Sequence, residues 1–387
     1  MDQVLNVPRP EWLDQEDVNI FEDAVRGFVE KECKPHTERW EKAGIVDREV
    51  WNKAGEAGLL APACPEEYGG AGGNWAHDYV FHMATSEAGM EGWGASLHNS
   101  IVAPYVWHYG TEEQKKKLLP KLVSGEYVGA IAMTEPAAGS DLQGIKTTAV
   151  KDGNGYRING SKTFITNGGT ANFIIVVAKT DPAGGHAGTS LFMVETDGLE
   201  GFRRGRNLDK VGMKSQDTAE LFFEDMWVPS DALLGEDEGK GFYQLMDQLP
   251  QERLQIAVQG VGQMKYALRE TISYVKERHA FGKPVIAFQN TQFKLAELKT
   301  KATIAEVFCQ HCSDLLIKGQ LDAATASMAK YWVTDIQCEL IDECVQLHGG
   351  YGYMNEYPIA RMFRDSRVQR IYGGTNEIMK LLIARTL

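Results

Sequence analysis

Apolar positions along the chain change period twice. From about residue 14 to 123 they recur at helical spacing: Ile20, Ala24 and Phe28 in one segment, then Val50, Trp51 and Ala54 in the next. Thr111-Glu112-Glu113-Gln114 has the form of a capping box, opening a Lys-rich helix that ends near Pro120 and Gly125. Between these segments lies PEEYGGAGGNW, a Gly-rich loop before a helix that lacks the GxGxxG spacing of a phosphate cradle. From Tyr127 to about Val228 the period shortens to that of strands. IKTTAVKDGNGYRING predicts a hairpin turning at Asp152-Gly153-Asn154-Gly155, and FIIVVAK, TSLFMVET and TAELFFED predict further strands. Helical spacing returns at Gly241, with long segments predicted at about 241–280, 290–317 and 322–347 and a last helix after Gly374.

The order α, β, α predicts an α+β multidomain chain. Its parts are an N-terminal α-helical domain over 1–126, a middle antiparallel β domain over 127–235, and a C-terminal four-helix-type α bundle over 236–387. A Rossmann arrangement is excluded, because strands do not alternate with helices and no dinucleotide fingerprint exists. GEDEGKG at 235–241 falls short of a Walker loop: three residues separate its glycines and no Ser or Thr follows Lys240.

One stretch stands out where the first strand stops. IAMTEPAAGSD (131–141) begins as an apolar run and then turns through small residues. Pro136 removes a ladder donor and Gly139 tolerates backbone conformations closed to other residues. The outcome is a strand end with free backbone N–H groups and two hydroxyls, Thr134 and Ser140, able to lie against a ring edge or a phosphate. Alone, it reads as an ordinary tight turn. About 30 residues on, SKTFITNGG places Phe164 and Thr166 at a strand end before another Gly-rich turn.

Charge and composition narrow the ligands. A net charge of −13 argues against nucleic acid or anionic lipid as the main partner, so an anionic small molecule would need locally placed Arg and Lys. No apolar run reaches membrane-spanning length. The acidic N-terminus lacks the apolar core of a signal or transit peptide, which makes the cytoplasm the default, with the mitochondrial matrix the alternative for a trimmed form. Six cysteines in 387 residues do not make a disulfide framework. Cys309 and Cys312 have CxxC spacing around His311 but fall in a Gly- and Pro-free helical segment, where they are expected to pack as small hydrophobes with no metal bound.

The two Gly-rich stretches together resemble the flavin cradle of the acyl-CoA dehydrogenase family. The likeness continues through ERHAFGKP, QLHGGYGYMNEYPIARMFRD and IYGGTNEI, five matches in order over about 250 residues, whereas the N-terminal third matches only in general pattern. The resemblance implies an FAD enzyme that converts a saturated acyl-CoA, of medium or long chain, to its trans-2-enoyl-CoA. Electrons would pass to an electron-transferring flavoprotein, and the chain would form a homotetramer through its C-terminal bundle.

Such a reaction needs a desolvated carboxylate to take the acidic proton beside the thioester carbonyl. Many relatives place a Glu immediately before the Gly-Thr of the last motif, where this chain has Gly373. LPQERLQIA offers Glu252 instead, as in the long-chain and isovaleryl branches. SQDTAELFFED, ATASMAKYW and IYGGTNEIMK are most similar to the long-chain type. By composition alone Glu252 is a solvated helical charge. Read with Gly373, it becomes the expected base, with Arg253 and Gly374 at the substrate and Glu377 the weaker candidate base. The thioester oxygen would accept from the Gly373 N–H.

By the same resemblance Met133, Thr134, Gly139 and Ser140 touch the flavin or its phosphates, Ser140 also nearing the CoA. Phe164 and Thr166 cover the isoalloxazine, Phe164 standing where many relatives have Trp. Arg278, Phe281, Gln289, Gln346 and Gly350 reach a neighbouring subunit's FAD, Arg278 at its pyrophosphate, while Thr375 and Glu377 close the site. Phe281 serves equally as core packing, and Gln346 to Gly350 as a helix C-cap. Other readings are a branched-chain or terpenoid acyl-CoA dehydrogenase, an acyl-CoA oxidase, and a base-less CoA-ester binding or scaffold protein. The last requires Glu252 to face solvent.

Overall fold

The computed structural model describes residues 4–387. Helices α1 (Glu16–Phe28), α2 (Thr37–Ala43) and α3 (Arg48–Glu56) lead to α4 (Trp75–Glu87), every residue of which is buried. Trp40 of α2 and Trp51 of α3 share a core with Phe81 of α4. The apolar stripe of α1 is not the one expected from Ile20, Ala24 and Phe28. Ile20 is 64% exposed, and Val18 and Val25, seven residues and two turns apart, face inward.

A short turn α5 (Ala95–Leu97) and a π-turn over His98–Val102 feed α6 (Ala103–Tyr109), followed by α7 (Glu112–Val123). Both halves of the capping box at Thr111 and Gln114 form. The Gln114 amide also donates to the carbonyls of Asp231 and Leu233, fastening the helices to the far end of the sheet.

Seven strands form one sheet: β1 (Gly129–Ala132), β2 (Thr148–Asp152), β3 (Gly155–Thr166), β4 (Phe173–Lys179), β5 (Thr189–Glu195), β6 (Phe202–Asn207) and β7 (Thr218–Pro229). Their order is β1-β4-β2-β3-β7-β6, with β5 on β4. The β2–β3 hairpin turns at Gly153-Asn154 as its sequence predicts. Pairing is antiparallel except where β1 and β2 meet β4 in parallel. Strand β6 gave no apolar alternation in the sequence because it is an edge strand bearing Arg203, Arg204 and Arg206.

Helix α8 (Gly241–Glu277) then runs 37 residues to a small hairpin of β8 (His279–Ala280) and β9 (Lys283–Pro284). With α9 (Gln289–Ile317), α10 (Ala323–His348) and α12 (Asn376–Ala384) it makes the bundle, and α11 (Pro358–Ser366) packs against α8 and α10. Cys309 and Cys312 are buried on α9, where burial pushes the Cys312 thiol up to about 12.

The two helical sets share a core in which Trp75 and Tyr79 of α4 meet Leu254, Val258 and Val261 of α8. Gly262 permits the close crossing. A Cβ there would lie 2.7 Å from Ser86 Cβ and 3.1 Å from the Met83 carbonyl. This crossing carries the first turns of α8 past α6 and sets the site.

Candidate active site

The strand end at Met133–Glu135 is fixed from behind by a buried lysine. Lys162 Nζ donates to the Met133 carbonyl at 3.0 Å and to Glu135 Oε1 at 2.9 Å, while the carboxylate accepts from the Lys146 and Thr147 N–H groups. Burial pushes Glu135 up, but the Lys162 charge and these donors outweigh it and hold the carboxyl below its ordinary range. Thr163 N–H donates to the Thr134 carbonyl at 2.9 Å, so the two Gly-rich stretches are stitched edge to edge. Beyond Pro136 the chain turns on paired bonds between Glu135 and Ala138, leaving Gly139 and Ser140 exposed. Among the described residues nothing accepts from the Gly139 or Ser140 N–H.

Phe164 is the feature of this cradle that packing does not explain. The β3–β7 register shifts between Lys162 and Ile165, and the bulge places Phe164 at φ 59° with its ring 68% exposed. A bulky side chain in the left-handed region is a costly choice, and here it lifts an aromatic face beside half-buried Met133 and Thr166. An exposed aromatic, free backbone donors and small residues suit a planar ring carrying phosphates, so the cradle fits FAD. The Thr163–Thr134 and Lys162–Met133 bonds set Met133 and Thr134 alongside the strand that carries Phe164 and Thr166, and Gly139 and Ser140 follow on the loop that leaves that strand end.

Glu252 lies on α8, two residues past Pro250, and is 3% exposed. Its Oε1 accepts from the Tyr105 hydroxyl of α6 at 2.9 Å. Burial drives its carboxyl up to about 7, against the Tyr105 hydrogen bond and the Arg253 charge. Arg253 is also buried, and its Nε has no hydrogen-bond partner among the described residues. Glu377, in contrast, is exposed on α12, where its own backbone N–H and Thr375 hold its carboxyl below the ordinary range.

Gly373 and Gly374 turn at φ 64° and 89°. A Cβ on Gly373 would sit 2.4 Å from Ile256 Cδ1, one helical turn beyond Glu252 on α8. The helix therefore fills the place of any side chain at 373. Nothing among the described residues accepts from the Gly373 N–H. Two residues on, Thr375 caps α12 by accepting from Ile378 N–H. The turn is held by Lys330 of α10, fully buried, which donates to the Gly374 carbonyl at 2.7 Å and to Asn376 Oδ1 at 3.0 Å. Burial, then the nearby Arg253 charge, pulls this lysine down to about 7.

The remaining predicted residues gather elsewhere. Arg278, Gln346 and Gly350 line one cavity of about 590 Å³ with Tyr274, His348 and Tyr351. It lies past the far end of α8, about 37 Å along the helix from Glu252 at 1.5 Å per residue. Phe281, 96% exposed at φ 51°, and Gln289 at the start of α9 stand near it without lining it. The core-packing alternative for Phe281 is therefore excluded. Tyr105 and Lys330 were not singled out from sequence, and Glu135 and Lys162 lie within the two Gly-rich stretches without being marked as a pair, since each acquires its partner only through the fold.

Known proteins match nearly the whole chain. Residues 15–126, 130–226 and 239–387 match the N-terminal, middle and C-terminal domains of acyl-CoA dehydrogenase. The mitochondrial long-chain specific acyl-CoA dehydrogenase of Mus musculus is 52% identical over 374 residues, 95% of this chain and 86% of that protein. Among solved structures, an acyl-CoA dehydrogenase from Geobacillus kaustophilus superposes with TM-score 0.94 at 50% identity, covering 96% of this chain and 98% of that one. A structure titled as the electron transferring flavoprotein of Acidaminococcus fermentans gives 0.92 at 39%, covering 96% and 98%. A glutaryl-CoA dehydrogenase from Mycobacterium smegmatis in complex with FADH2 gives 0.91 at 28%, covering 99% and 97%.

Proposed function

The chain belongs to the acyl-CoA dehydrogenase family, and on that premise we propose that Glu252 is the base with which it dehydrogenates a saturated acyl-CoA thioester. The observation that carries this is the carboxyl itself: buried, pushed up to about 7, and one turn from the residue that occupies the space at Gly373. A base poised near the working pH combines ionisation with proton affinity.

Met133, Thr134, Gly139, Ser140, Phe164 and Thr166 would hold FAD, which when bound would supply the two-electron oxidation as acceptor of the hydride from C3. Glu252 takes the proton from C2. The Gly373 N–H donates to the thioester oxygen, which acidifies that proton as negative charge develops, and a lost donor of this kind typically costs about 10²–10³ in rate. Burial of Glu252 and Arg253 keeps competing water from the carboxylate. The product is the trans-2-enoyl-CoA, and electrons leave to an electron-transferring flavoprotein. Scaffolding without catalysis requires a solvent-facing Glu252, a condition this side chain does not meet.

Finer assignments follow the same reading. Likeness to the long-chain relative favours a medium or long acyl chain over branched or terpenoid ones. Arg278, Phe281, Gln289, Gln346 and Gly350 complete the FAD site of a neighbouring copy in a homotetramer, a role supported by the cavity that Arg278, Gln346 and Gly350 line and by the exposed Phe281. No helix among the described residues is long and apolar enough to cross a membrane.

Anaerobic mixing with a chain-length series of acyl-CoAs tests this. Wild type bleaches its flavin absorption and Glu252→Gln does not. Equal bleaching by both proteins removes Glu252 from the role. Rapid oxygen consumption on turnover favours the oxidase reading instead.

A further inference from the structure

Beyond the base itself, two ladders of side chains meet rung to rung. On α6, Tyr105 and Tyr109 are four residues apart with ring centroids 6.0 Å from one another. On α8, Gln248 and Glu252 have the same spacing. The inner rung is Tyr105 to Glu252 at 2.9 Å. At the outer rung Gln248 Nε2 donates to Tyr109 Oη at 2.9 Å, and Tyr109 in turn donates to Asp247, at the protein surface. Tyr105 is fully buried, and burial followed by the Glu252 charge raises its hydroxyl well above 10. It is therefore a permanent donor.

The two carboxylate oxygens of Glu252 are consequently unlike. Oε1 is occupied by the phenol; among the described residues Oε2 accepts no hydrogen bond and is not one of the sealed-off, unpaired buried atoms. We infer that Tyr105 is a positioning residue for the base. It holds Oε1 so that Oε2 meets the substrate, and it favours the carboxylate over the acid. This rests on the assignment of Glu252 as base.

The other groups facing Glu252 fix what removing the phenol does. Arg253 lies on the same helix, with Lys330 of α10 beside that guanidinium; Tyr109 and Asp247 stand behind Tyr105. None of these replaces a donor at Oε1. Loss of the Tyr105 hydroxyl leaves the negative charge without the one hydrogen bond it accepts among the described residues, so protonation becomes easier.

Tyr105→Phe removes only that hydroxyl. We expect the rising limb of the pH–rate profile for anaerobic flavin bleaching to move up by about one unit. The loss is then roughly tenfold at pH 6.5 and fades above pH 9, with acyl-CoA affinity within about twofold of wild type. Tyr105→Leu gives the same shift and serves if the first variant folds poorly. A Tyr105→Phe profile that superposes on wild type, or that falls by one factor at every pH, overturns the inference. Glu252→Gln in the same series separates the two claims. If it is inert while the Tyr105 variants are unshifted, only the positioning role falls; if it bleaches normally, the base assignment falls first.

Discussion

Lys162 Nζ stands 2.9 Å from Glu135 Oε1, and both side chains are withdrawn from solvent. Breaking one member of such a pair leaves the other charge buried and unpaired, typically at about 3–5 kcal/mol. We expect Lys162→Met to lower the thermal unfolding midpoint and to purify with little flavin, because the same ammonium holds the Met133 carbonyl. Lys162→Met with Glu135→Gln recovers part of the stability. Equal flavin content in wild type and the single variant would sink the idea that this pair shapes the cradle.

Glu252 links activity and stability in opposite directions. Its carboxyl titrates at about 7 in the folded chain against 4.5 as the ordinary value. Turnover therefore rises with pH through about 7 as the carboxylate forms. Stability runs the other way: between 4.5 and 7 the unfolded chain releases this proton first, so the fold loses stability as pH rises through that window. Glu252→Gln removes the penalty and should be stabilising at pH 8, by an amount on the order of 3 kcal/mol, and nearly neutral below pH 4.5. Chemical denaturation at the two pH values reads the difference.

At Gly373 the barrier to a side chain has two parts. A Cβ meets Ile256 Cδ1 at 2.4 Å, and φ is 64°. Gly373→Ala should destabilise by roughly 1–3 kcal/mol. On a Glu252→Gln background, Gly373→Glu fails to restore bleaching, whereas adding Ile256→Ala restores a measurable rate. Rescue without the Ile256 change would show that α8 does not exclude a base from this turn.

Lys330→Met leaves the Gly374 carbonyl without its buried donor, and Asn376 Oδ1 keeps the longer bond from the Thr334 hydroxyl, at a typical cost of about 1–3 kcal/mol. Since the turn presents the Gly373 N–H, kcat should fall by about tenfold or more with KM little changed. Lys330→Arg, too large for a fully buried position, does not rescue it. Steady-state kinetics of the two variants decide the matter; a loss confined to KM would place the lysine in substrate binding instead.

How much of this was readable in the sequence depends on how local the cause is. The long helices, the hairpin at Gly153-Asn154 and the Thr111 capping box follow from spacing and turn chemistry within a few residues, and all formed as expected. Ile20 misled because several apolar residues of α1 share helical spacing, and only its docking on α4 selects Val18 and Val25. Strand β6 was hidden because an edge strand needs no apolar alternation. The cradle stretches and Glu252 were recognisable through resemblance. The bulge beneath Phe164 was not, since it depends on the register against β7. Tyr105 meets Glu252 across 147 residues of chain, a juxtaposition no local pattern encodes.

The length of α8 has a consequence for dilution. One continuous helix of 37 residues carries Glu252 near its start and delivers the chain to Arg278 and the exposed Phe281 at its end. In the proposed tetramer, each rod serves one reaction centre with its first turns and another copy's cofactor with its tip. Catalytic competence then becomes subject to mass action: a separated protomer keeps its base but lacks the neighbour's contribution to FAD. Specific activity should depend on enzyme concentration, and added FAD should offset the loss.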